Sequence, residues 1–243
     1  MAKFIKMRVF FALRIILLPG FFFTGTCCYG FAISLLSPIE VPPGFPSAYV
    51  FRLSILTGVH KNVYGLDLGL IGNVTRERFV GSAFSGLYNY TGSAFIAGAQ
   101  IAGLSNYNSG DSTIIGLQIS GLSNVNRGKG IHVGYQLAGL SCYSPEMVVV
   151  GAQACLLYSR AKAVAGLQLG LIVNADYALY IQAGAIAIAK TVIMEQAGGI
   201  LIAEKVYGAQ VGLVSISDRV VGFQFGMYTF AQNFSGMQLG LVN

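Results

Sequence analysis

Ten of the chain's eleven glutamines fall in one slot of an internal repeat: Gln100, Gln118, Gln136, Gln153, Gln168, Gln182, Gln196, Gln210, Gln224 and Gln238. The slot reads Gly-x-Gln-apolar-(small)-Gly-Leu-x-Asn, as in Gly116-Leu117-Gln118-Ile119-Ser120-Gly121-Leu122-Ser123-Asn124. A unit that recurs at near-fixed spacing is one structural element that cannot bury its apolar face alone, so the chain must fold as an array. Successive slots lie 18, 18, 17 and 15 residues apart and then settle at 14. Two degenerate units lead in, with Asp67 and Ala83 in the glutamine position.

Within a unit the side chains alternate with period two, the pattern of a strand. In Ala165 to Asn174 the apolar face is Ala165, Leu167, Leu169, Leu171 and Val173, opposed by Gly166, Gln168, Gly170 and Asn174. Charges and turn formers fall between these runs, at Arg76-Glu77-Arg78, Ser109-Gly110-Asp111, Arg127-Gly128-Lys129, Arg160-Ala161-Lys162, Glu204-Lys205 and Asp218-Arg219. Each repeat therefore offers one polar turn.

Only 10% of the 243 residues are charged and 54% are hydrophobic, with a mean hydropathy of +0.65, which points toward lipid. Lys3, Lys6 and Arg8 precede an apolar run from Ile15 to Phe23 and then small residues, the layout of a secretory signal peptide over residues 1–32. A retained anchor, or lipidation at Cys27 or Cys28, is the competing reading. Residues 33–243 then form one repeat-built β domain. Much of the net charge of +6 belongs to the export signal, and the remaining basic residues are scattered, which excludes nucleic acid as a partner.

Three architectures compete. An antiparallel up-and-down membrane β-barrel of about 12–14 short strands, built from the 14–18-residue repeat, takes each unit as one crossing strand of about 10 residues. Its Leu/Val/Ala face meets outer-membrane lipid, and the ten glutamines with Asp67 and Glu195 face the lumen. In a β-solenoid each unit is one coil and the amides stack in ladders. A 14-residue coil must turn at least twice, however, and only one corner per unit is polar. A transmembrane helix bundle needs about 20 uninterrupted apolar residues, which the repeat denies. The barrel is the reading favoured by hydropathy, although odd spacings of 17 and 15 would flip the slot to the other face unless bulges absorb a residue.

The stretches Ser34-Leu35-Leu36-Ser37-Pro38-Ile39-Glu40, Arg52-Leu53-Ser54-Ile55-Leu56 and Asn62-Val63-Tyr64-Gly65-Leu66-Asp67-Leu68-Gly69-Leu70, followed by the Gly-Leu-Gln-Leu-Gly-Leu-Val-Asn-like units, resemble a family of exported bacterial surface-repeat proteins without an assigned activity. The resemblance covers about residues 33 to 243. It implies the outer membrane or cell surface of a Gram-negative-type bacterium, and no cofactor. The chain departs from outer-membrane barrels at Gly240-Leu241-Val242-Asn243, where an aromatic residue commonly ends the last strand.

No constellation for catalysis stands out, and the chain reads as a non-enzymatic surface protein. A barrel would be porin-like or structural; a solenoid would act in adhesion or envelope interaction and partition into the aqueous phase of a detergent-phase separation. His60 and His132 lie near turns and read as solvated, with no metal-ligand spacing around them. Asp67 and Glu195 are the acidic residues that fall within strands rather than turns. On a hairpin centred near Ser144 to Met147, Cys142 and Cys155 stand about 20 Å out of register. That is too far for a disulfide, and Cys155 lacks the flanking glycines of a nucleophile elbow.

Overall fold

The computed structural model describes residues 30–36, 39–41, 47–92 and 94–242. Nearly all of the expected export signal thus lies outside the described residues. The strands are β1 (Phe31–Leu36), β2 (Ile39–Val41), β3 (Ser47–Gly69), β4 (Gly72–Ser85), β5 (Tyr88–Thr91), β6 (Ala94–Ala102), β7 (Ser105–Asn108), β8 (Ser112–Ser120), β9 (Ser123–Asn126), β10 (Gly130–Ala138), β11 (Ser141–Cys155), β12 (Tyr158–Ala178), β13 (Ile181–Phe225) and β14 (Tyr228–Leu239).

Apart from β1 with β2, the strand pairs are parallel. Gln118 of β8 sits against Gln100 of β6 on one side and Gln136 of β10 on the other. The chain goes once around and returns to the same column one repeat later. This is a β-solenoid, and it overturns the antiparallel barrel: a hairpin-connected unit would place its neighbour antiparallel, whereas each of these units is a full coil.

One coil illustrates the rest. From Ser112 to Ser120 runs a nine-residue wall, interrupted by Gly116; Gly121-Leu122 turns the chain; Ser123–Asn126 is a short wall; Arg127-Gly128-Lys129 closes the coil. Gly116 has φ +134°, and a Cβ there would come within 2.0 Å of the Gly98 carbonyl oxygen of the coil before. Only glycine fits so close a stack at that dihedral. The second and third turns are thus made by glycine and leucine rather than by polar residues, which is why only one corner per unit looked like a turn.

Odd repeat lengths also lose their difficulty. Gln136 pairs with Gln153 and Gln153 with Gln168 in unbroken register, while the β11–β12 ladder shifts between Ser144 and Val148, at the charged corner. A coil absorbs one residue at a corner and keeps every wall residue on its own face. A hairpin register cannot.

The interior and exterior are exchanged relative to an ordinary globular protein. Ser112, Ile114, Gln118, Ser120, Asn124 and Asn126 are buried inside the coil, whereas Ile115 and Leu122 stand exposed on its outer surface. Apolar clusters do occur inside, as with Val63, Phe79, Ile96 and Ile114 in the early coils and Ala189, Val192, Ala203, Val206 and Val220 in the later ones. They alternate with columns of amides.

Candidate functional site

The longest polar column contains all ten repeat glutamines. Gln118 Nε2 donates to Gln100 Oε1 at 2.9 Å, Gln136 to Gln118 at 3.2 Å, Gln182 to Gln168 at 3.0 Å, Gln196 to Gln182 at 2.9 Å, Gln210 to Gln196 at 2.8 Å and Gln224 to Gln210 at 3.0 Å. Gln153, Gln168 and Gln238 continue the same chain. A carboxamide carries donor and acceptor on one end, so identical residues stacked in register satisfy one another without limit. The column fills the coil interior. The lumen foreseen for Gln100, Gln118, Gln136, Gln153, Gln168, Gln182, Gln196, Gln210, Gln224 and Gln238 is not there, because the parallel coils close around these side chains and stack them against one another.

A second ladder joins Asn73, Asn89, Asn106 and Asn124, with side-chain amide contacts of 3.1, 2.9 and 2.9 Å. Its signal was present in the Asn that ends the repeat motif, but an asparagine next to a turn reads equally well as a turn former.

Asp67 stands in the glutamine column, and Arg52, one coil earlier in that same column, is its partner: Arg52 Nε donates to Asp67 Oδ1 at 2.6 Å, and Nη2 binds Oδ2 in a two-pronged pair with both side chains fully buried. Burial raises the Asp67 carboxyl above the usual carboxylate range, against the pull of the Arg52 guanidinium. Arg52 also reaches His60 Nδ1 at 3.0 Å. The sequence reading missed Arg52, whose only signal was its place fifteen residues before Asp67. Glu195 is placed differently. It precedes Gln196 and takes the opposite face of the strand, half-buried among the outward residues.

Both histidines are buried rather than solvated, at 3% and 0% exposure for His60 and His132. Burial lowers each to about 4. His132 takes the inward slot held by Ile114 and Val149 in the adjacent coils. Its Nδ1 finds no partner. The cysteines are corrected as well, because they sit on consecutive coils and not on two arms of a hairpin. Cys142 donates to the Ala154 carbonyl at 3.5 Å, and Cys155 donates to the Tyr158 carbonyl at 3.2 Å. The neighbouring Cys155 thiol and burial push the Cys142 thiol far up. Both are free thiols, and among the described residues no cluster of His, Cys, Asp and Glu could hold a metal ion.

What the molecule presents outward is of two kinds. The Gly-Leu corner repeats as a column, with Leu87, Leu104, Leu122, Leu140 and Leu157 at 41–45% exposure, joined by backbone bonds such as Leu122 N to Leu104 O at 2.9 Å. Ile200, Tyr228 and Val242 continue it in the later coils. Columns of Ile202, Ile216 and Phe230 and of Leu137, Leu169 and Phe225 add further apolar stripes to the outside of the rod. An apolar surface of that extent is rare in a soluble monomer.

The other kind is a single charged edge. Lys61, Arg76, Glu77 and Arg78 open it; Asp111, Arg127, Lys129, Glu146, Arg160 and Lys162 follow; Asp176, Lys190, Glu204, Lys205, Asp218 and Arg219 complete it. These residues occupy the corner between short and long wall, coil after coil, except Arg160, which stands beside the corner at the Tyr143 position of the short wall. Ion pairs run up it, from Lys61 to Glu77 at 3.2 Å, Arg160 to Asp176 at 3.1 Å and Lys190 to Asp176 at 3.6 Å. A shallow groove on this edge is lined by Asn62, Glu77, Arg78, Asp111 and Lys129. Beside it, on the short wall, Tyr90 stacks on Tyr107 at 5.7 Å, and Arg127 lies over the Tyr107 ring at 5.7 Å.

Comparison with protein families, curated proteins and solved structures gives no match for this chain.

Proposed function

We propose that this chain is an exported, non-enzymatic rod of a bacterial cell surface that acts through its outer faces, in adhesion or in interaction with the envelope. The observation that carries the reading is the division of polar groups. Carboxamides, the Arg52–Asp67 pair and both histidines are buried and bonded within the coil, leaving the outside with apolar columns and one charged edge. Catalysis needs a polar group that substrate can reach, and the buried ones are held where substrate cannot. A stacked amide core suits a stiff scaffold instead, since each coil is bonded along its length to the next.

Whole-cell labelling with a membrane-impermeant amine reagent, followed by fractionation, tests this. The edge lysines should react on intact cells, and the chain should be recovered with the envelope. Labelling only after lysis, with recovery in the soluble fraction, would refute the surface assignment.

A further inference from the structure

The outer surface is segregated around the coil, and the segregation has a direction. Half a turn from the charged corner at Arg127-Gly128-Lys129 lies the stretch Leu117 to Leu122; its Ile119 and Leu122 positions stay apolar from coil to coil, while Ser82 and Glu195 hold the Leu117 position in two coils. Between the two extremes on the short wall of the earlier coils stand Tyr90, Tyr107 and Tyr143, half-exposed next to the charges, with Val125 among them and Arg160 following in the same column. Apolar stripe, then tyrosine, then charge is the order of environments met on leaving a bilayer: hydrocarbon, interface, headgroup and water. Basic side chains outnumber acidic ones along the edge.

On this basis we infer that the rod lies lengthwise in the surface of an anionic bilayer, its Gly-Leu stripe in the acyl region and its charged edge among lipid phosphates. This rests on the surface-rod reading above and names the partner of its outer faces. The backbone permits it. The walls run in long parallel ladders, as from Gly98 through Gly116 to Gly134, so a wall can meet hydrocarbon with the amides of those ladders bonded to the coils on either side. The leucine column and the charged edge both run from coil to coil along the rod, so the face offered to a membrane is one of its sides. A surface solenoid with an ordinary exterior would stay in the aqueous phase of a detergent-phase separation; this exterior reverses that expectation.

Vesicle flotation of the full chain tests the inference, with phosphatidylglycerol–phosphatidylcholine vesicles beside pure phosphatidylcholine ones. The chain should float with the anionic vesicles and bind the neutral ones more weakly. Leu104→Glu with Leu140→Glu, two outward positions on non-adjacent coils, should weaken binding about tenfold. Neutralising the edge with Lys129→Gln, Lys162→Gln and Lys205→Gln should weaken it about fivefold per charge on anionic vesicles only. Circular dichroism and melting of each variant check that the coil is intact. Absence of flotation by the unaltered chain, equal binding to both lipids, or an intact Leu variant that floats unchanged would each overturn the inference. So would a discrete dimer, blind to vesicles, that the Leu variant splits, since the stripe would then be covered by a second copy. Whole-cell labelling is independent of all these outcomes, so failure here leaves the surface assignment to be judged by itself.

Discussion

At the scale of single residues, the columns make strong demands on whatever occupies them. Removing one member of a buried ion pair leaves an uncompensated charge, which costs about 3–5 kcal/mol. Asp67→Asn should therefore lower stability by that order in a denaturant titration, whereas Arg52→Gln with Asp67→Gln, which brings carboxamides to those two coils, should recover most of the loss or exceed the parent. A double variant no more stable than the single one would mean that the column does not accept amides there. His132 gives a pH-dependent test. Its folded value, lowered from 6.5 to about 4, lies below that of the unfolded chain, so its neutral form supports the fold in full above about pH 6.5. As pH falls from there toward 4, the unfolded chain takes up a proton that the buried ring refuses, and stability drops by about 3 kcal/mol before levelling off. His132→Val, which continues the Ile114 to Val149 column, should flatten that acid limb in melting curves recorded between pH 7 and 4; an unchanged slope would assign it to other groups, His60 first among them.

At the scale of the coil, the glycine that opens most units, replaced by Tyr180 and Met194 in two of them, decides whether walls can stack. Gly116→Ala would press a Cβ against the Gly98 carbonyl at a dihedral that L-residues rarely adopt, and should cost more than about 2 kcal/mol. Met194, at φ +90°, stands where the next coil places Gly208, so Met194→Gly should stabilise by about 1 kcal/mol despite the lost side chain. A melting temperature that falls for Met194→Gly would contradict the strain argument. These glycines also mark what could be read in advance. The period, the alternation and the opposition of amide to apolar faces were all legible, because Gln168 and Leu169 announce them directly. The connectivity was not. Gly121-Leu122 and Gly116 turn the chain without a polar residue, and a turn whose exterior is apolar looks like the middle of a strand. Arg52 was invisible for a related reason: a lone arginine in a weakly repeating segment has no meaning until the coil places it one step from Asp67.

For the whole molecule, parallel coils explain together what the barrel explained piecemeal. The hydropathy that suggested a membrane-crossing strand belongs to the outside of a rod, and the glutamines that suggested a lumen belong to its filled axis. A solenoid of this kind grows by one strand spacing per coil, about 4.8 Å, so its two ends are far apart whatever the repeat length. A closed barrel of the same units would bring first and last strands together and hold any two walls within about 25 Å. Ile101 and Leu239 lie on outward positions beside Gln100 and Gln238, which are separated by the nine hydrogen-bonded steps of the ladder. Spin labels at these two positions, read by double electron–electron resonance, should report a single distance near 43 Å. A distribution centred below about 25 Å would mean that the chain closes on itself and that the stacked coil is wrong.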